Sequence, residues 1–459
     1  SGSYLIENVP AGSYTVTASV IGYTSSSESV TVGAGTAVVN FSLSPAVLQM
    51  SGLEVLASRA GENTPVAFSN VSKADMEFRL GSQDIPLALN ATPSVYATAQ
   101  GGGAGDARIN VRGFNQRNVA VMINGVPQND MENGWVYWSN WDGVGDVTSS
   151  IQMQRGLSAV NLAAPSIGGT MNVITDPTAM EAGGMFKQEL GAGNFLKTTA
   201  NLSSGLLNNT YAFSATVVRK TGEGVIDKQW TDAWAYYLGA SYAVNENNRL
   251  ELYAIGAPQR HGQNLWKQNA AAYSHDFAKD ELGYSQAALD AFAEASSHDL
   301  QPGAESGRFY SQNWAKVSDS YTGQQYYDMY GAKTKDRHDP NFINERENYF
   351  HKPLVNLNHF MTINDQMRLS SVFYWSGGSG GGSGTHRNND GFIWDYSGPS
   401  RVFDLDATIA MNQSAETRKG EEKGLGESDA ILRNSINRQD TYGLISKLNY
   451  DLNDETTLE

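Results

Sequence analysis

From Gly183 onward the chain alternates apolar and polar side chains over long runs. Trp234, Tyr236, Leu238, Ala240, Tyr242 and Val244 alternate with Ala235, Tyr237, Gly239, Ser241 and Ala243. Tyr442, Leu444, Leu448, Tyr450 and Leu452 alternate with Gly443, Ile445, Lys447, Asn449 and Asp451. A period of two sustained over about ten residues predicts a strand with one face in an apolar medium. Eight strands are predicted, at roughly 184–190, 195–204, 210–220, 234–244, 249–256, 349–362, 367–376 and 440–452. Strands of soluble sheets usually run about five or six residues, so the length favours a membrane.

The connections between these strands alternate in length. Asn208-Asn209, Asn245-Glu246-Asn247-Asn248 and Asn364-Asp365 are tight turns, whereas 221–231, 257–348 and 377–438 are long. Outer-membrane barrels have short periplasmic turns and longer external loops. The alternation therefore places the Asn/Asp turns in the periplasm and the long segments outside. A loop as long as 257–348 is foreign to a compact soluble domain; within it, 286–295 is predicted as a short helix capped by Ser285.

The first 182 residues read differently. Residues 1–45 carry four short strand signals, at 4–6, 13–18, 29–32 and 37–41, separated by turn chemistry at Pro10-Ala11-Gly12 and Gly33-Ala34-Gly35. Four strands are too few for a two-sheet core. Residues 46–60 read as a linker with one short apolar run, and 61–178 as a mixed α+β unit. There Ser72 is a candidate N-cap for a helix over 73–79, and 83–90 reads as a second helix with Pro86 near its start. Strands are predicted at 108–112, 119–123 and 171–174, with Asn124-Gly125 as a hairpin-type turn.

Composition narrows the function. The chain has 48 acidic and 32 basic residues, a net charge of −16, which argues against nucleic-acid binding. No apolar run approaches the ~20 residues of a membrane helix. The 22 Tyr and 9 Trp suit a barrel with aromatic girdles. Cysteine is absent, so no disulfide framework or thiolate metal site is expected. No signal peptide is visible and the chain starts at Ser1.

The stretch 107–176 contains INVRGFNQRNVAVMINGVPQND, SSIQMQRGLSAV and SIGGTMNVITDP. Together with the strand pattern that follows, these words resemble a TonB-dependent outer-membrane receptor, a globular plug enclosed by a barrel. NVPAGSYTVTASVIGY resembles the second half of the carboxypeptidase-regulatory-like β-sandwich that precedes the plug in receptors of Bacteroidetes type. The expected fold is mainly β. A remnant β-sandwich (1–45) and a linker (46–60) lead to an α+β plug (61–178), followed by a partial transmembrane antiparallel β-barrel (179–459). A plugged lumen goes with about 22 strands, so a chain with eight is expected to be a fragment.

The resemblance implies active import of a siderophore, vitamin, oligosaccharide or peptide, with no covalent chemistry and no cofactor. It places the TonB-coupling segment in the linker, at Leu53, Glu54, Val55, Leu56 and Ala57. TonB would capture it there by β-augmentation, in which backbone hydrogen bonds dominate and sequence demands are loose. An ordinary strand of the first domain is the competing reading. Substrate is expected at three plug apices: Gln100 and the following 101–106; Asn115, Gln116, Arg117 and Asn118; and Trp135, Tyr137 and Trp138. Aromatic faces beside amide and guanidinium donors suit sugar-like, peptide-like or chelate ligands. Alternatively Trp135, Trp138 and Trp141 pack the plug against the wall. Arg112 of VRGF and Arg155 of MQRG are implied to salt-bridge plug to barrel, a plug-internal ion pair being the other reading. Asn124 stands where the family usually has Asp before Gly.

Partners implied by the resemblance are TonB, the transported ligand, outer-membrane lipid and, in some members, a surface lipoprotein. The plug lacks SusC-type wording, so no lipoprotein lid is assumed. An outer-membrane signalling or scaffold receptor without transport is the alternative, and a soluble β-rich binding protein a third. The glycine run 101–105 lacks Gly-Lys-Ser/Thr and a following helix, so it is not a phosphate loop. His386, Asn388, Asp390 and Asp395, or Asp336, His338 and Asp339, fit loop polarity better than a metal site.

Overall fold

The computed structural model describes residues 4–6, 8–18, 26–33, 35–43, 66–81, 83–100, 105–156, 166–265, 269–295, 305–319, 325–328, 332–335, 339–386, 391–395, 402–417, 420–424, 427–453 and 456–458. Near the N-terminus, Gly12–Ala18 pairs antiparallel with Ser26–Val32. The segments 4–6 and 37–41, expected as strands, are described but lie in no strand. The Tyr4 hydroxyl instead donates to the Val39 carbonyl at 2.9 Å.

The plug region follows local sequence chemistry closely. Ser72 accepts from the Asp75 amide while the Asp75 carboxylate accepts from the Ser72 amide, a capping box that starts the helix Lys73–Leu80. The second helix, Ile85–Ala88, is shorter than expected and holds Pro86 in its first turn, where no N–H is needed. Strand Val119–Ile123 is buried at every position and runs parallel to Gly169–Ile174, as a strand covered on both faces should. Their sheet continues through Ser150–Arg155 to Ala67–Ser72, and on the other side to Val126–Pro127. Asn124 and Gly125 have φ of 50° and 83°, so the turn between Ile123 and Val126 has the left-handed pair of a tight hairpin. A second sheet joins Val95–Ala99, Ala107–Val111 and Phe114–Asn115.

All eight expected barrel strands are present: Gly183–Gly191, Phe195–Leu207, Tyr211–Gly222, Thr231–Asn245, Asn248–Gly256, Leu354–Asn364, Met367–Thr385 and Leu432–Asn453. Each pairs antiparallel with the next in sequence order. The sixth departs from the expected 349–362: Glu347–His351 is a separate strand, split from Leu354–Asn364 at Lys352-Pro353.

Alternation on these strands is inverted relative to a soluble sheet. On the fourth strand Trp234, Leu238, Tyr242 and Val244 are exposed, whereas Ala235, Tyr237, Gly239 and Ser241 are buried. The buried face packs on the plug: Tyr237, Tyr253, Ile255 and Leu354 share one apolar core with Ile109, Val121, Trp138, Trp141 and Met153. The large exposed side chains therefore form the outer face, with Tyr211 stacked on Tyr242 at 5.0 Å beside the short turns. Trp234 lies eight positions from Tyr242 on the same strand, about 27 Å at ~3.4 Å per residue. At a tilt of ~40° that is about 20 Å of height, within the roughly 25 Å apolar band of an outer-membrane barrel.

The long connections are not structureless. Ala315, Val317 and Ile343 from one, with Phe392, Phe403, Leu405 and Ala430 from the other, bury a second apolar cluster beyond the barrel wall. Gln286–Ala295 forms the expected helix, with the Ser285 hydroxyl accepting from the Ala288 amide at 3.1 Å. No helix among the described residues is long and apolar enough to cross a membrane, which says nothing of strands.

Candidate functional site

Two of the three expected apices form one cluster at the end of the plug away from the short turns. Gln116 is buried, donating its amide to the Val136 carbonyl at 2.9 Å and accepting from the Trp138 indole at 3.2 Å. Trp138 and Trp141 are likewise buried in the plug core. These three residues build the apex rather than present it. Its surface is Asn115, Arg117, Trp135 and Tyr137. Asn115 caps the turn by accepting from the Arg117 amide at 3.1 Å. The guanidinium carbons of Arg117 and Arg108 lie 4.5 and 5.0 Å from the centroid of the Trp135 ring. Tyr137 is exposed and accepts from the Asn133 amide at 3.3 Å.

Gln100, of the remaining apex, is exposed, and its backbone amide donates to Asp106 at the far end of the same loop. Asp106 reaches from plug to barrel, its carboxylate 3.3 Å from His261 Nε2 and within 3.2 Å of Gln263 Nε2. Burial alone would raise the Asp106 carboxyl, but His261, Gln263 and Arg108 outweigh burial and hold it below the usual carboxylate range. Beneath the loop, Asp84 accepts from the amides of Gly105 and Ala107, on either side of Asp106, at 2.9 and 3.1 Å. Burial pushes the Asp84 carboxyl up to about 6, against the pull of Lys220 and these two amides and with the help of Asp142.

The seam between plug and barrel is a strip of ion pairs that sequence reading missed. Lys220 of the third barrel strand lies 2.7 Å from Asp142. Lys197 and Lys187, from the second and first strands, lie 2.8 and 3.0 Å from Asp146, and both also meet Glu189. Nearer the short turns, Arg249 is 3.7 Å from Asp176 of the plug and is paired with Glu251. The wall comes close at Gly143 (φ 80°), where a side-chain carbon would sit 2.6 Å from Ala235 Cβ. A signal for the lysines existed: Lys197 and Lys220 fall on the strand face opposite the apolar one, which must point into the lumen. Nothing in the sequence named their partners.

Arg112 and Arg155 do not carry this seam. Among the described residues neither forms an ion pair. Arg112 and Gly113 (φ 53° and 82°) make the tight turn between Val111 and Phe114. The Arg112 guanidinium then lies over Gly156 (φ 104°), where a side-chain carbon would meet it at 2.5 Å. Arg155 donates to the carbonyls of Pro93 and Phe68 at 3.3 Å. The words VRGF and MQRG thus meet each other inside the plug. Asn124 uses its amide in both directions, to Thr175 Oγ1 at 2.8 Å and from the Thr175 amide at 2.9 Å. The coupling segment Leu53, Glu54, Val55, Leu56 and Ala57 lies outside the described residues.

This arrangement, a plug sharing its core with the inward face of an antiparallel wall, has clear counterparts. Residues 60–170 match the TonB-dependent receptor plug domain family. The vitamin B12 transporter BtuB of Vibrio vulnificus is 25% identical over 184 residues, covering 40% of this chain and 28% of that protein. The crystal structure of the ferric-catecholate import receptor Fiu from E. coli K12 in its open form superimposes with a TM-score of 0.51 at 13% identity. That match covers 87% of this chain and 48% of Fiu. The closed form gives 0.50 at 14% identity, over 86% and 45%. The chain spans about half of the solved receptor and just over a quarter of the curated relative. Residues 60–170 thus match a TonB-dependent receptor plug domain, and the plug with its adjoining strands has the fold of the solved outer-membrane receptors.

Proposed function

We propose that the protein imports a scarce solute across the outer membrane, with the plug as a gate that TonB opens from the periplasm. The observation that carries this reading is the make-up of the seam. Asp142, Asp146 and Asp176 meet Lys220, Lys197, Lys187 and Arg249. Buried ion pairs hold geometry but return much of their desolvation cost when water enters, so they can part under force and re-form. An interface made only of packed apolar side chains would lack that reversibility.

In this reading the external solute meets Arg117, Trp135 and Tyr137. TonB captures the linker at Leu53, Glu54, Val55, Leu56 and Ala57 by adding a strand, and the chain performs no covalent chemistry. Import in BtuB and Fiu, named for vitamin B12 and ferric catecholates, supports the class of activity. The division into 1–45, 46–60, 61–178 and 179–459 belongs to the same proposal, as does a carboxypeptidase-regulatory-like first domain.

The test is energised uptake of iron(III) catecholates and of cobalamin by cells carrying the full-length protein, with and without residues 53–57. Loss of uptake on deletion, with binding retained, is the expected result. Undiminished uptake refutes coupling at that segment. Retained signalling with no uptake of any solute would favour a receptor without transport.

A further inference from the structure

We propose that His261 is a proton-controlled latch between the barrel wall and the plug loop that ends at Asp106, closed when the imidazole carries both protons and open when it loses one. The latch is read from the contact between wall and plug and holds whether or not the protein transports a solute.

The first observation is the polarity of a chain of hydrogen bonds. Gln259 donates its amide nitrogen to Asn348 Oδ1 at 2.8 Å, which leaves its Oε1 to face His261 Nδ1, 2.6 Å away. An amide oxygen can only accept, so Nδ1 carries a proton. On the other side of the ring, Nε2 lies 3.3 Å from Asp106 Oδ2. Both Asp106 oxygens accept from the Gln263 amide, at 3.1 and 3.2 Å, as an ionised carboxylate does. Nε2 must therefore donate as well, and a ring that donates at both nitrogens is the imidazolium. A ring with a single proton, held on Nδ1 by Gln259, would turn a lone pair toward the carboxylate.

The second observation is the seat of the ring. The side chains of His261 and Asp106 are only 4% and 11% exposed. Gly105 (φ 90°) lies against the ring, and a side-chain carbon there would stand 3.5 Å from His261 Cε1 and 2.7 Å from Ser139 Cβ. In so dry a site no bulk water relieves a lone pair aimed at a carboxylate. Loss of the Nε2 proton therefore turns an attraction into a repulsion.

The third is the charge on each side of the contact. From the plug, Asp106 faces the ring, and Asp84 accepts from the Gly105 and Ala107 amides beneath it. Arg108 donates to the Asp106 and Ala107 carbonyls at 3.3 and 2.8 Å. It attracts Asp106, but it belongs to the same plug strand, so it moves with the carboxylate and does not tie it to the wall. From the wall, Arg260 is paired with Glu347 at 3.0 Å and Asp232 with Arg219 at 2.6 Å. His261 is thus the wall cation that meets Asp106, and the other wall contact, Gln263, is neutral. Histidine changes charge between about pH 5 and 8, so the latch is closed in acid and opens as pH rises.

The test is hydrogen–deuterium exchange of the full-length protein in detergent from pH 5.5 to 8.5. It is read by mass spectrometry on the peptide carrying residues 105–111 and corrected for the intrinsic pH dependence of exchange. Protection should fall by about tenfold across this range, the worth of one charge-assisted hydrogen bond. The same series in an Asp84→Asn background takes out the titration of that neighbour, and the fall should persist there. His261→Gln, a neutral donor that does not titrate, should abolish it. Asp106→Asn, which removes the anion, should abolish it too and keeps the test decisive if H261Q does not fold. Protection independent of pH in wild type overturns the proposal. So does a fall that vanishes in D84N, or one that survives unchanged in H261Q or D106N.

Discussion

Lys220 Nζ, on the inward face of the third barrel strand, sits 2.7 Å from Oδ2 of Asp142 on the plug. Both side chains are largely withdrawn from water, at 5% and 16% exposure. Removing one member of such a pair strands a buried charge, at a cost of about 3–5 kcal/mol. Lys220→Ala should therefore loosen the plug by that order, because Asp142 and the neighbouring Asp84 both lose their cation. The double variant Lys220→Met with Asp142→Leu should recover the share of the loss due to Asp142, while Asp84 still lacks its cation. The check is the urea midpoint of plug unfolding in the full-length protein, read from tryptophan emission. Lys73→Ala, which breaks an exposed pair at 3.9 Å, is the control and should cost about 0.5 kcal/mol or less. If K220A shifts the midpoint no more than this control, the seam does not hold the plug.

Asp84 gives the plug a pH dependence of a definite sign. Burial raises its carboxyl from an ordinary 3.8 to about 6. Between those values the folded plug retains a proton that the unfolded chain has released. Stability is thus greatest below the unfolded value and falls as pH rises to about 6, by at most about 1.4 kcal/mol per unit. Asp84→Asn can still accept from Gly105 and Ala107 and carries no charge. Its urea midpoint relative to wild type should be nearly constant below pH 4 and should rise between pH 4 and pH 6. A pH-independent difference would mean that Asp84 is not the titrating group.

Leu238 stands at the middle of the outer face of the fourth barrel strand and is 55% exposed. If that face meets lipid, Leu238→Arg should cost about 2–4 kcal/mol in folding equilibria measured in phospholipid vesicles. Val225→Arg, exposed in a connection beyond the strands, should change the same equilibrium by about 0.5 kcal/mol or less. Equal effects at the two positions would remove the assignment of the outer face to the membrane.

The strands and their sidedness were legible in the chain because a barrel wall between lipid and lumen imposes a period of two on every strand. Tight turns and helix starts carried their own chemistry as well, in Asn124-Gly125, Asn208-Asn209 and the N-cap Ser72. These features depend on residues a few positions apart, and local physics is enough to specify them. Who meets whom across the seam was not legible. Asp142 and Lys220 are 78 positions apart and Asp106 and His261 are 155 apart, and a carboxylate's sequence neighbourhood says nothing of which lysine will face it. Arg112 and Arg155 show the limit most clearly. Their words marked the plug correctly, yet one arginine turns a hairpin against Gly156 and the other holds plug carbonyls. Gln116 and Trp138 likewise turned inward while Arg117 and Trp135 remained at the surface. Burial is decided by the packing of whole elements, so only the tertiary structure could separate the residues that build the apex from those that present it.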